Sequence, residues 1–204
     1  MDVSVKSGKQ QALFSTPLFI FEIDGHQSLN TLLLEESRSL RDQSPGLSRS
    51  NKNGWHSKTD LFSRTEPGIS KLCDVIKSCI FTVMKHSGKE SVSALDFNGW
   101  ININPKGAFN RPHNHPGYLW SGTYYVNVPI VSNDQSGHIE FLDPRTNANA
   151  GQVFPPGYSL APRPGMLIVF PSYLLHWVYP NEQDEERITI AFNCRFAQGT
   201  PTAS

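Results

Sequence analysis

The eight residues RITIAFNC, 187–194, change character at every step. Successive side chains of a β-strand point to opposite faces. Ile188, Ile190, Phe192 and Cys194 therefore share one side, and Arg187, Thr189, Ala191 and Asn193 the other. Two further stretches repeat the pattern. In WININ, 100–104, Ile101 and Ile103 oppose Trp100, Asn102 and Asn104; in TYYVNV, 123–128, Tyr124, Val126 and Val128 oppose Thr123, Tyr125 and Asn127. Two architectures satisfy strands with one apolar and one polar face. The first is a sandwich whose polar faces meet water, the usual behaviour of antiparallel sheets. The second is a barrel whose interior is a polar cavity while helices cover its apolar outside. From about residue 91 the chain is a run of short segments broken by Gly, Pro and Asn, the texture of an all-β sandwich or barrel.

Before that point the periodicity is helical. Residues 67–88, PGISKLCDVIKSCIFTVMKHSG, open on proline, end on glycine and line Ile69, Leu72, Val75, Ile76, Ile80 and Val83 along one face. Residues 26–43, HQSLNTLLLEESRSLRDQ, space leucines and charges helically, with Ser28 or Asn30 placed to cap the start. Residues 12–23, ALFSTPLFIFEI, read as a strand entering the core after Pro17. Residues 44–60 are rich in Ser, Asn and Gly and form a loop, although Trp55 and His56 are too large to be filler. A chain of 204 residues suits a single domain. In it, residues 1–90 supply the first strand and supporting helices, 91–198 the β core, and 199–204 a frayed tail.

Charge and cysteines narrow the partners. Lys plus Arg and Asp plus Glu are each 18, so no global field is present to hold nucleic acid or an anionic membrane. Cys73, Cys79 and Cys194 are odd in number and lack CxxC spacing, which fits neither a disulfide framework nor a thiolate metal site. No apolar run approaches the ~20 residues of a membrane span, and the opening MDVSVKSGKQ lacks the apolar core of a signal peptide. The expectation is a cytoplasmic protein with no nucleic-acid or membrane partner.

The histidines bear on the choice between sandwich and barrel. In NRPHNHPGYLWSGTYYVNVP, 110–129, His113 and His115 stand two apart on an extended segment. Both imidazoles project to one side and can reach a single ion at the ~2.0–2.2 Å of metal–nitrogen bonds. His176 lies in GMLIVFPSYLLHWVYP, 165–180, after a buried apolar strand that breaks at Pro171. An HxH pair is a weak signal, and a lone histidine is commonly a hydrogen-bonded core residue; three at strand ends favour a metal site. Arg187 adds to this, because a guanidinium on an enclosed face needs an anionic partner. That partner is either the carboxylate of a small ligand, which Tyr125 could share, or Glu185 or Glu186 of the preceding turn.

Taken in order, a histidine motif, YYVN at 124–127, SGHIEFLDP at 136–144, GMLIVFP at 165–171, a distal histidine, and an arginine with Thr189 two residues on resemble the Fe(II)- and 2-oxoglutarate-dependent dioxygenases. The prolyl-hydroxylase-like branch, and within it an uncharacterised group of oxygenases, is the most similar. The resemblance covers about residues 96–196, and GWHSKTDLF, 54–62, adds to it. It implies a double-stranded β-helix, the cupin-like jelly roll, mainly β with flanking N-terminal helices. His113 and His176 would match the family's histidine ligands to Fe(II), and Arg187 its salt bridge to the distal carboxylate of 2-oxoglutarate. Tyr125 would support that carboxylate, with Thr189 beside it and Asn102 or Asn104 assisting. With O2 as a further cosubstrate, the implied reaction hydroxylates an unactivated C–H bond of a small-molecule or peptidyl substrate and releases succinate and CO2.

One position departs from the family. The common facial triad is two histidines and a carboxylate, yet two residues after His113 stands His115. The face is then three histidines, or His115 is the first ligand with Gly117 at the carboxylate position, or Glu140 or Asp143 supplies an oxygen from a neighbouring strand. The first fits the register before YYVN best. Rival functions are a cupin-like three-histidine enzyme that needs no 2-oxoglutarate and a non-catalytic jelly-roll binding module. Trp55, His56, Trp120, Arg145, Arg163 and Tyr173 are candidates for the barrel mouth. His138 reads as a surface strand residue, and Leu174, Leu175 and Trp177 could support a homodimer.

Overall fold

The alternating segments resolve into two antiparallel sheets in the computed structural model, which describes residues 9, 13–88, 94–129, 135–145 and 155–197. Strands β1 (Phe19–Glu22), β3 (Trp55–His56), β4 (Leu95–Asn104), β6 (Trp120–Asn127), β9 (Met166–Pro171) and β11 (Arg187–Phe196) form one sheet in the order β1-β9-β6-β11-β4-β3. Strands β2 (Asn51–Lys52), β5 (Phe109–His113), β7 (Ile139–Leu142), β8 (Gly157–Leu160) and β10 (His176–Val178) form the other, in the order β2-β5-β10-β7-β8. The sheets face each other as a jelly roll. RITIAFNC is the centre of the larger sheet: β11 runs against β4 from Arg187↔Asn104 to Phe196↔Leu95 and against β6 on its other edge.

The apolar faces are the ones that helices cover. Leu33 of α1 (His26–Asp42) and Ile69, Leu72, Ile76 and Ile80 of α2 (Pro67–His86) share one core with Ile101, Ile103, Tyr124, Val126, Ile188, Ile190 and Cys194. Each such aliphatic side chain contributes about 1.5–3 kcal/mol by leaving water, so the outer face of the sheet holds the helices in place. The polar faces then turn inward, which decides for the barrel over the water-facing sandwich. Glu36 of α1 locks the helix pair by accepting hydrogen bonds from the backbone N–H groups of Gly68 and Ile69, at 2.7 and 2.8 Å. A carboxylate there satisfies two of the free donors at the start of α2. Gly68 permits the approach, since a Cβ would stand 2.8 Å from a Glu36 oxygen.

Four local expectations change. Neither Ser28 nor Asn30 caps α1: the helix starts after Gly25, whose φ is 71°, and no side chain caps it. Asn30 is buried instead, donating to the Val126 carbonyl at 2.8 Å and accepting from the Tyr124 hydroxyl at 2.6 Å, and so ties α1 to β6. The strand expected over 12–23 is confined to Phe19–Glu22, and the loop over 44–60 contains β2 and β3. The alternation of TYYVNV holds only to Val126. Ile188 pairs with Asn127 but Thr189 with Tyr125, so Val126 is an inserted residue, a bulge that reverses the facing of the residues beyond it. Val128 accordingly packs with Tyr125 rather than with Tyr124. The tail expected at 199–204 lies outside the described residues. Among those residues no helix is long and apolar enough to cross a membrane.

Candidate active site

His113 ends β5 and His176 begins β10, and the two are partners in the ladder. His115 lies two residues beyond β5, where its backbone N–H donates to the Ser172 carbonyl at 2.9 Å. The three imidazoles offer one nitrogen each within 4.8 Å of one another, an arrangement that could hold a metal ion. Their ring centroids are 4.4 Å (His113–His176), 5.1 Å (His113–His115) and 5.2 Å (His115–His176) apart. His113 Nδ1 lies 2.7 Å from the Arg111 carbonyl and His176 Nδ1 2.9 Å from that of Leu174. A carbonyl can only accept, so both Nδ1 atoms carry the proton and both Nε2 atoms carry a lone pair. Ser50 Oγ lies 3.4 Å from His113 Nε2.

Burial also sets the protonation state. Desolvation lowers the pKa of all three histidines: His113 falls, and His115 drops to about 4 and His176 to about 3, with the charge of His113 adding to the effect on both. At neutral pH the trio is uncharged, the form in which imidazole binds a metal. Neither acid considered as a third ligand belongs to the cluster. Glu140 accepts hydrogen bonds from Trp177 Nε1 (3.0 Å) and the Tyr179 hydroxyl (2.6 Å), and Asp143 pairs with Arg145 at 2.6 Å.

The histidines share a cavity with Arg187, Tyr125, Thr189 and Asn102. Arg187 is 3% exposed. Its Nε donates to the Gly137 carbonyl at 3.0 Å and its guanidinium stands 5.4 Å over the Tyr125 ring. Among the described residues no carboxylate lies within ion-pair distance of it. The two local acids are engaged elsewhere: Glu186 pairs with Arg41 and Arg38, and Glu185 accepts from Asn127 Nδ2. Among the described residues, the Tyr125 hydroxyl and Asn102 Oδ1 are buried without a well-formed hydrogen bond. Burial pushes the Tyr125 phenol up to about 12 against the opposing pull of Arg187. A buried unpaired cation beside unpaired polar groups is costly. An anionic oxygen ligand would relieve that cost. Donor set and cavity therefore fit a small carboxylic acid seated next to a metal ion. Asn104 does not line the cavity; its Nδ2 donates to Oδ1 of Asn110, which does.

Most of the loop residues expected at the mouth are anchors. Trp55 Nε1 donates to the Ser44 carbonyl, Trp120 meets Phe19 edge-on, Arg163 pairs with Glu22, and Arg145 pairs with Asp143. Tyr173 is exposed. His56 belongs to the site's surroundings, buried and stacked on Trp100. His138 is half-buried near Ser159 Oγ. Leu174 is buried, Trp177 is tied to Glu140, and Leu175 is exposed. Trp100, Asn110 and Ser50 also line the cavity, and sequence reasoning does not reach them as site residues. The available signal is the place of Asn110, three residues before His113 on the same strand.

Residues 98–193, from β4 to β11, match a family described as "Putative 2OG-Fe(II) oxygenase". No curated protein matches the sequence. Among solved structures, a Pseudomonas putida prolyl-4-hydroxylase aligns at 14% identity over 90% of this chain and 94% of its own, with a TM-score of 0.66. A Trichoplax adhaerens prolyl hydroxylase, in complex with a hypoxia inducible factor oxygen degradation domain peptide fragment, aligns at 18% identity over 88% and 83%, also with a TM-score of 0.66. HygX from Streptomyces hygroscopicus, with nickel and 2-oxoglutarate bound, aligns at 13% identity over 91% and 85%, with a TM-score of 0.62. At such identities the likeness is one of fold.

Proposed function

We propose that the chain, whose residues 98–193 match the 2OG-Fe(II) oxygenase family, hydroxylates a small-molecule or peptidyl substrate with His113, His115 and His176 holding Fe(II) and Arg187 anchoring 2-oxoglutarate. One observation carries this reading. A buried guanidinium without a counter-ion among the described residues shares a cavity with three neutral imidazoles. A three-histidine enzyme working without a keto acid has no use for that cation. When bound, iron and 2-oxoglutarate couple decarboxylation of the keto acid to O2 activation and supply the oxidant for C–H hydroxylation, with succinate and CO2 released.

The chain's own residues bind, orient and enclose. The Arg111 and Leu174 carbonyls fix the tautomers of His113 and His176, so both lone pairs are set before metal arrives. Arg187 gives the distal carboxylate of 2-oxoglutarate a charge-assisted partner, Tyr125 adds a hydroxyl donor, and Thr189 and Asn102 complete the polar wall. Phe141 and Phe170 pack against His176, at centroid distances of 6.0 and 4.8 Å, and keep water from that side of the site. Both substrate classes occur among structural neighbours: one was solved with a peptide fragment, and HygX with hygromycin B.

The reading extends to the whole chain as one unit, residues 1–90 supporting the 91–198 core. It includes a cytoplasmic location, supported by three buried free cysteines, and a homodimer through the exposed Leu175. The test of function is succinate release from 2-oxoglutarate with Fe(II) and O2, for wild type beside His176→Ala and Arg187→Ala. Release that needs iron, vanishes in His176→Ala and shows a raised KM for 2-oxoglutarate in Arg187→Ala is expected. Iron binding with no consumption of 2-oxoglutarate would contradict the assignment.

A further inference from the structure

Two of the three site histidines are oriented by a hydrogen bond from Nδ1 to a backbone carbonyl. Metal-binding histidines almost always have such a partner, which fixes ring angle and tautomer. His115 has none among the described residues, although its main chain is held by Ser172. Its ring instead lies against Trp100, with centroids 5.7 Å apart and planes 47° apart. Trp100 in turn stacks on His56, at 5.3 Å and 9°.

This aromatic column is rigidly mounted at its far end. β3 pairs with β4 in the register His56↔Asn102, so His56 and Trp100 are diagonal neighbours on one face of the sheet. His56 Nδ1 donates to the Ser57 carbonyl at 2.6 Å. Ser57 clamps β4 twice, donating from its N–H to the Ile101 carbonyl and accepting at Oγ from the Ile101 N–H. Two bulky aromatic side chains, one of them on the two-residue strand β3, thus end on the one site histidine that, among the described residues, lacks a hydrogen-bonded brace.

We infer that Trp100, backed by His56, is the positioning element for His115, directing its imidazole at the metal through an aromatic face rather than a hydrogen bond. This rests on the three-histidine reading of the site. An indole face fixes where the ring lies but leaves its tautomer free, so His115 is the most displaceable of the three ligands.

The test is nitrogen counting by electron paramagnetic resonance on the full chain loaded with Cu(II), together with Cu(II) affinity. Wild type should show three imidazole nitrogens, and His115→Ala two. Trp100→Leu should also show two, with affinity reduced by about 10- to 100-fold, the usual loss when a ligand's support is removed, while Trp100→Phe retains three. His56→Ala should lose the third nitrogen in part and His56→Phe recover it, a pair that decides the matter if Trp100→Leu fails to fold by circular dichroism. Three nitrogens and unchanged affinity in folded Trp100→Leu, or in His56→Ala, would overturn the positioning role and leave the three-histidine site intact. Two nitrogens in wild type, unchanged by His115→Ala, would overturn the three-histidine reading and the inference with it.

Discussion

The two faces of the six-stranded sheet are made from the same three strands and have opposite thermodynamics. On the outer face, Ile101, Ile103, Tyr124, Val126, Ile188 and Ile190 are buried against the helices. On the inner face, Asn102, Tyr125 and Arg187 are equally buried, yet among the described residues a hydroxyl and an amide oxygen lack partners and a cation lacks a counter-ion. The first face stabilises the fold, and the second leaves buried polar groups whose cost the proposed ligand would offset. On the proposed function, stability and ligand binding are therefore separable along a single strand, residue by residue.

Neighbouring positions of β11 break the comparison most sharply. Arg187→Met should weaken 2-oxoglutarate binding by about 2–5 kcal/mol, the usual loss when one member of a buried charge pair is removed. It should not lower the melting temperature of the ligand-free protein, since an unpaired buried charge is replaced by an apolar chain of similar length. Calorimetric titration and thermal melts would show both. Ile190→Ala on the outer face should do the reverse, costing about 2–5 kcal/mol of folding stability while the folded fraction binds 2-oxoglutarate normally. Equal losses of stability in the two variants would remove the distinction.

Smaller effects sharpen it. Asn30→Ala strands the buried Val126 carbonyl and Tyr124 hydroxyl, and chemical denaturation should report a loss of about 1–3 kcal/mol. Tyr125→Phe removes a hydroxyl that lies beside Arg187 and, among the described residues, makes no well-formed hydrogen bond. Its denaturation midpoint should be unchanged or raised, with 2-oxoglutarate affinity down by about 0.5–1.5 kcal/mol, one neutral hydrogen bond.

The strands and their faces were legible because alternation is local: RITIAFNC and WININ each carry the whole pattern within a few residues. TYYVNV misled at Val128, because the bulge opposite Ile188 and Thr189 depends on pairing with β11. The histidines could be named from strand ends, and their order along the chain resembled a known family. What tertiary contact alone revealed is that Asn30 is a buried bridge and not a cap, that Glu140 is held by Trp177 and Tyr179, and that Trp55 and Arg163 are anchors. A side chain's partner tens of residues away leaves no mark in its own sequence neighbourhood. Trp100 shows this well: it stood on the polar face of WININ, and only the fold places it between His56 and His115.

The most direct measurement is an anaerobic titration of the metal-free protein with Fe(II) and then 2-oxoglutarate, following the visible charge-transfer band of an iron-chelated keto acid. The expected result is a band that needs both additions, is absent in His113→Ala and His176→Ala, and requires far more 2-oxoglutarate in Arg187→Met. Stoichiometric iron binding with no band at any concentration of 2-oxoglutarate would contradict the pairing of the histidine cluster with the Arg187 pocket.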